Sequence, residues 1–163
     1  MMRIRPTLAR SLFALAAIVA MTAGAGAQPA PGPRHESADA AVRALVTRFG
    51  AQLQNVSLLA PDVPQELDTT YGSLVDPSLL AAWKKDVQSA PGRLTSSPWP
   101  DHIEIHRVRR TATGYSVTAS VVYMTSNEVE HGGDAGTDAV VITVRRIGGR
   151  WLIASYTLAK KKD

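Results

Sequence analysis

The sequence predicts an α+β fold in which three N-terminal helices pack on a curved antiparallel four-stranded sheet. Apolar residues recur at three- and four-residue spacing as far as Val87, and after Pro100 the period switches to two. Turn glycines punctuate that second half, at Thr113-Gly114 and Gly148-Gly149. With 163 residues, 10 prolines and 12 glycines, the chain suffices for one domain and is short for two sizeable ones.

Taken in order, residues 1–27 read as a signal peptide. Arg3, Arg5 and Arg10 form its basic end, Ser11 to Met21 its apolar stretch, and Ala25-Gly26-Ala27 a small-residue cleavage site. The apolar run is shorter than the roughly 20 residues that span a bilayer, so the expectation is export, to the periplasm or beyond, with no transmembrane anchor after cleavage. Residues 28–36 form a Pro- and Gly-rich flexible lead-in, residues 37–159 the single folded domain, and residues 160–163 a charged tail. Ser37 is the expected N-cap of a first helix, whose buried side is Val42, Leu45, Val46 and Phe49. Pro64 opens a second, short helix running through Leu67 to Tyr71. Asp76-Pro77 pairs a capping carboxylate with a proline at the first helical position, starting a third helix that buries Leu79, Leu80, Trp83 and Val87. Four strands follow, at 102–110, 114–125, 138–147 and 150–158. A polar connection over 128–137 overhangs a possible site.

The chain counts 18 basic against 14 acidic residues. Three of the basic residues leave with the signal segment, and Lys160, Lys161 and Lys162 close the chain. The remainder is close to neutral and carries no nucleic-acid footprint. The doublets Arg109-Arg110 and Arg145-Arg146 read as solvated flanks of turns, because alternation sends the two members of each to different faces. The absence of cysteine excludes disulfides, a thiol nucleophile and thiolate-bound zinc. No glycine-rich dinucleotide or phosphate-binding loop is present, so no cofactor is expected.

Chemistry concentrates in Pro91 to Asp101. Pro98-Trp99-Pro100 holds an indole between two prolines, and Arg93 is suited to gripping a carboxylate with two parallel bonds. Arg93, Trp99 and Tyr123 are the candidate ligand-binding residues, and Asp101 is the candidate base. The competing reading makes Trp99 a plug at the helix-to-sheet junction. Ser96 and Ser97 lie outside any nucleophile elbow. His102, Glu104 and His106 alternate along the first strand and share a face, which makes them weak metal candidates. Two neighbours could converge on a zinc ion, but the outer pair is separated by about 13–14 Å at Cα, which hinders all three, and a convincing site would need a further ligand from His131 or Asp134.

The order of elements over 38–158 resembles the cone-shaped NTF2-like fold, which also houses ketosteroid-isomerase-like and SnoaL-like proteins. The stretches Asn55 to Pro61 and Ala90 to Asp101 also resemble segments of secreted bacterial proteins. The resemblance implies a pocket between helices and sheet, serving either binding or isomerase-type acid–base chemistry. The leading expectation is an exported, non-catalytic binding domain of the cell envelope. Its partner would be a protein, an envelope component or a small apolar or anionic ligand. The alternatives are an isomerase or dehydratase with Asp101 as base, Trp99 and Tyr123 shaping the site and Arg93 orienting an anion, and a module that homodimerises through its sheet.

Overall fold

The computed structural model describes residues 33–159, with side chains from Ser37 onward. The expected signal segment 1–27 and the charged tail 160–163 lie outside the described residues. Helix α1 spans Pro33–Gly50. It starts on a proline, whose missing amide would have had no intrahelical partner. Ser37 therefore sits inside the helix and is not its cap, and residues 33–36, assigned to the lead-in, are helical. Val42, Leu45, Val46 and Phe49 are buried, one stripe at helical spacing. The helix ends where it presses on the sheet. A Cβ added at Gly50 would lie 2.8 Å from the Ile103 amide nitrogen, so only glycine permits that approach.

A 3-10 turn at Leu53–Asn55 leads to a short parallel bridge between Ser57 and Arg93, in which Arg93 N–H donates to Val56 O at 2.8 Å and Leu58 N–H to Arg93 O at 2.9 Å. Helix α2 is Val63–Tyr71, capped by Asp62 with Pro64 in its first turn. Helix α3 is Pro77–Lys85. Its cap is the one expected: Asp76 Oδ1 accepts from the Ser78 amide at 2.8 Å and the Ser78 hydroxyl at 2.6 Å. Those two bonds hold the Asp76 carboxyl below its ordinary pKa. Lys84 pairs with Asp68, tying α3 to α2. A second 3-10 turn, Val87–Ser89, then leads toward the sheet.

Strands β1 (Trp99–Thr111), β2 (Gly114–Met124), β3 (Gly136–Ile147) and β4 (Arg150–Leu158) form an antiparallel meander in the order β1-β2-β3-β4. Between β2 and β3 lies a six-residue helix, α4, Ser126–His131. The 128–137 stretch is thus partly helical, and its signal is the Thr125-x-x-Glu128 capping box, in which both reciprocal bonds form.

The sheet corrects the expected architecture. It is flat and open, with β1 and β4 as separate edges, and is not the curved, cone-shaped NTF2-like roll. Four sequentially paired strands are too few to close on themselves. The volume a curled sheet would enclose is filled from the helix side by rings. Phe49 stands 4.9 Å from Tyr71, 6.3 Å from Trp83 and 5.9 Å from Tyr156, centroid to centroid. These spacings fall in the favourable range for aromatic pairs. Trp83 is thus a core residue, 3% exposed.

On β2 one alternating row is the core face, with Tyr115, Val117, Ala119 and Val121 all buried. On β4 the phase is broken. Thr143 pairs with Ser155 but Val144 pairs with Ile153, leaving Ala154 bulged. Leu158, Tyr156, Ile153 and Trp151 therefore share the core side, where unbroken alternation groups Trp151 and Ile153 on the opposite face from Tyr156 and Leu158. The β4 edge is covered at Ile153 by the segment before α3, with Ile153 N–H donating to Leu74 O at 3.0 Å and Asp76 N–H to Ile153 O at 2.8 Å. Strand β1 bulges at Asp101 and His106 and carries Arg107, Arg109 and Arg110, features that discourage edge-to-edge pairing.

Candidate functional site

At the end of the sheet where β2 finishes and β3 begins, the core face opens into a cleft. Tyr123 continues the inward row of β2, and Val121 pairs with Asp138, which puts the Asp138 carboxylate on the same face. Gly132, Gly133 and Gly136 adopt positive φ in the connection after α4. Ala135 N–H donates to Tyr123 O at 2.8 Å, folding that connection over the end of β2. The Pro91–Pro100 loop supplies the opposite wall, with a cis peptide at Ser97-Pro98.

The cleft has two adjoining lobes, of about 400 Å³ and about 380 Å³, which share Gly92, Leu94, Pro100 and Tyr123. The first reaches Asp138 and the connection at Ala135 to Thr137. The second runs past Leu53, Leu58 and Val121 to Tyr156 and Leu158. Among all the residues lining the two lobes, one is charged, Asp138. Leu94 and Leu158, at the mouth, are 52% and 47% exposed.

Burial, then the Asp138 charge and hydrogen bond, push the Tyr123 phenol up to about 12. Tyr156 is raised by burial first and then by Tyr123 and Asp138. Tyr71, deeper in, is raised by burial and donates its hydroxyl to Pro91 O at 2.9 Å, which braces the loop that walls the cleft. A phenol whose folded pKa exceeds its unfolded value stabilises fully below that value, near pH 10, and the contribution is lost as pH rises toward the folded one. Stability in urea is therefore expected to fall above pH 10, by about 1.4 kcal/mol per pH unit from Tyr71 alone. The Tyr71→Phe variant should fall less steeply. Identical slopes for the two proteins between about pH 10 and 12 would show that this phenol ionises freely in the folded state.

The structure brings some of the predicted residues to the cleft and separates others from it. Tyr123 lines it. Arg93 lies between two lining residues, Gly92 and Leu94, but is not itself part of the lining, and its Nε is buried with no hydrogen-bond partner. Trp99 pairs with Met124 on the face of the sheet away from the helices. Asp101 occupies a bulge, with Oδ2 2.8 Å from His102 Nδ1. His102 and Glu104 pair with Val122 and Ser120 on the outer face, and His106 Nε2 lies 2.8 Å from Ser120 Oγ. His131 bonds to Asn127 O and Asp134 to the Gly136 amide. Among the described residues no group of three or more His, Asp or Glu side chains is placed to hold a metal ion.

Asp138 and Tyr156 are the cleft residues that the candidate set lacks. The signal for Asp138 is a carboxylate in the same alternation as Val140 and Ile142, the buried phase of β3. For Tyr156 the signal is hidden by the Ala154 bulge.

Fold and site together define a helix-on-sheet domain with an end cleft of mixed lining, one lobe more apolar than the other. No family of known proteins matches the chain, the NTF2-like family included, and no curated protein matches it at a significant level. The NTF2-like resemblance is thereby corrected in both respects, the open sheet and the absence of a family match.

Proposed function

We propose that this is an exported, non-catalytic binding domain whose cleft takes a small ligand with an apolar body and a cationic or hydroxyl donor. Export rests on the basic, apolar and small-residue order of residues 1–27. The ligand class rests on one observation: a more apolar lobe, lined by Leu53, Leu58 and Val121, adjoins a lobe whose single charge is Asp138, which already holds the Tyr123 hydroxyl. Apolar surface supplies binding energy and the few polar groups fix orientation. An ammonium or hydroxyl can add a bond to the carboxylate, whereas an anion would meet like charge.

Binding is favoured over isomerase chemistry by the filled interior. The space between helices and sheet holds Phe49, Tyr71 and Trp83, while Asp101, the base of the isomerase reading, hydrogen-bonds His102 and does not line the cleft.

Three probes of similar shape test the reading: phenethylammonium, 2-phenylethanol and phenylacetate, titrated by calorimetry and amide chemical-shift mapping. The expected order of affinity is ammonium, alcohol, carboxylate. Asp138→Asn should weaken the ammonium at least about tenfold and leave the alcohol within about threefold, since one charge-assisted bond contributes about 1.5–3 kcal/mol. Equal affinity for phenylacetate, or shifts that map away from Tyr123 and Leu94, would overturn it.

A further inference from the structure

The other end of the sheet carries a concavity of opposite charge. Register sets Arg110 across from Tyr115 and Arg146 across from Trp151, all on the face that elsewhere is core. A hollow of about 340 Å³ is lined by these four side chains, by Ala38 and by the Thr111–Gly114 turn. The Arg146 guanidinium lies 6.0 Å from the Trp151 ring centroid, and its Nε donates to Gly149 O at 3.1 Å. Trp151 in turn meets Tyr115 edge-on at 5.2 Å. The cation–π contact and the bond to Gly149 restrict the swing of the guanidinium, which helps arginine present a preorganised fork of donors.

Other charges lie at this end of the sheet without lining the hollow. Arg109, Arg145 and Arg150 belong to the same end of the sheet, because β1 and β3 finish there and β4 begins there. Two carboxylates face the group: Asp39 takes the Tyr115 hydroxyl, and Asp76 interacts with Arg145. Neither is part of the lining, which holds two guanidiniums, two threonines and no acid. The doublets are far apart in sequence, and only the meander makes them neighbours.

We propose that this hollow binds a phosphate group, with Arg110 and Arg146 as its charged donors and the Thr111 and Thr113 hydroxyls at its edge. A dianion matches the two positive charges, and guanidiniums bind phosphate oxygens through paired bonds. The site is separate from the Asp138 cleft and does not depend on its ligand. Phosphate chemistry reaches an exported domain either as a small soluble ester or as a lipid headgroup.

The test uses the full chain at low salt in two arms. Inorganic phosphate is titrated by calorimetry, and vesicles of phosphatidylcholine with one-fifth phosphatidic acid are tested by cosedimentation. Saturable binding in at least one arm is expected. Arg146→Gln should weaken it at least about tenfold, and Arg146→Lys, which keeps the charge but loses the fork, about threefold or more. Arg109→Gln, on the opposite face, should change it less than twofold. Binding by free phosphate assigns a soluble ester, and vesicle binding that free phosphate fails to compete assigns a headgroup. Absence of binding in both arms overturns the proposal. So does equal weakening by Arg109→Gln and Arg146→Gln, or wild-type affinity in an Arg146→Lys protein whose thermal unfolding is unchanged.

Discussion

Replacing Phe49 by alanine is expected to destabilise the domain by about 3–5 kcal/mol, the range for removing a fully buried aromatic ring. Phe49 is 0% exposed and touches rings from three other elements: Tyr71 on α2, Trp83 on α3 and Tyr156 on β4. Its loss opens a void that no single neighbour can fill, because each is already held by a second partner. Tyr71 is bonded to Pro91 and Trp83 is packed edge-on against Tyr156 at 6.4 Å. A small domain has about 5–15 kcal/mol of total stability, so the loss is a large fraction of the whole and the urea midpoint should drop in proportion. Urea unfolding followed by tryptophan fluorescence measures this, and Phe49→Leu should recover about half of the loss. A cost below about 1 kcal/mol for Phe49→Ala would mean that the four rings do not form the load path between helices and sheet.

Gly114→Ala is the second large effect, expected at about 2–4 kcal/mol. Gly114 opens β2 with φ at 153°, and an added Cβ would stand 2.1 Å from Val144 O on β3. That neighbour is backbone inside a paired strand and has no rotamer to give. The methyl group must part β2 from β3 where Gly114 pairs with Arg145, beside the arginine-lined hollow. Gly148→Ala is the matched comparison. Gly148 also has positive φ, at 56°, but nothing lies within 4 Å of the added Cβ, so its cost should stay near 1 kcal/mol. Thermal unfolding of the two variants separates them. If they lose equal stability, backbone conformation alone explains both, and the clash with Val144 carries no weight.

The parts of the fold that could be read from residues are those whose causes are local. Asp76-Pro77 starts α3 because one side chain and one ring satisfy the helix end without help from elsewhere. Tyr115, Val117, Ala119 and Val121 are on one face of β2 because alternation belongs to the strand itself. The faces of β4 resisted reading because the Ala154 bulge is a property of its pairing with β3, and one extra residue inverts the phase. Trp151 and Tyr156 thereby joined the core side, and with them went one wall of each hollow. The curved cone failed for a related reason. Curvature depends on what volume the helices leave, and α1 to α3 leave none at the centre of the sheet.

The candidate site divides in the same way. Tyr123, named among the candidates, lines the cleft, and Ala135 to Thr137 of the polar connection after β2 lie against it. Asp138 was visible as a strand residue but became a site residue only when register set it beside Val121, with its carboxylate on the Tyr123 hydroxyl. Arg93 and Trp99 stand near the cleft in sequence, yet their side chains lie elsewhere, since neighbours along an extended chain point opposite ways.

By itself, then, the amino-acid order determined the three early helices and four later strands, the Asp76-Pro77 cap, the tight turns and which side of β2 is buried, all set by interactions within a few residues. The tertiary structure alone decided that the sheet lies flat, that a lone carboxylate meets two tyrosines at one end, and that Arg110 and Arg146 meet over Trp151 at the other. Those outcomes depend on register between strands and on the volume that packed rings occupy, quantities that no local pattern contains.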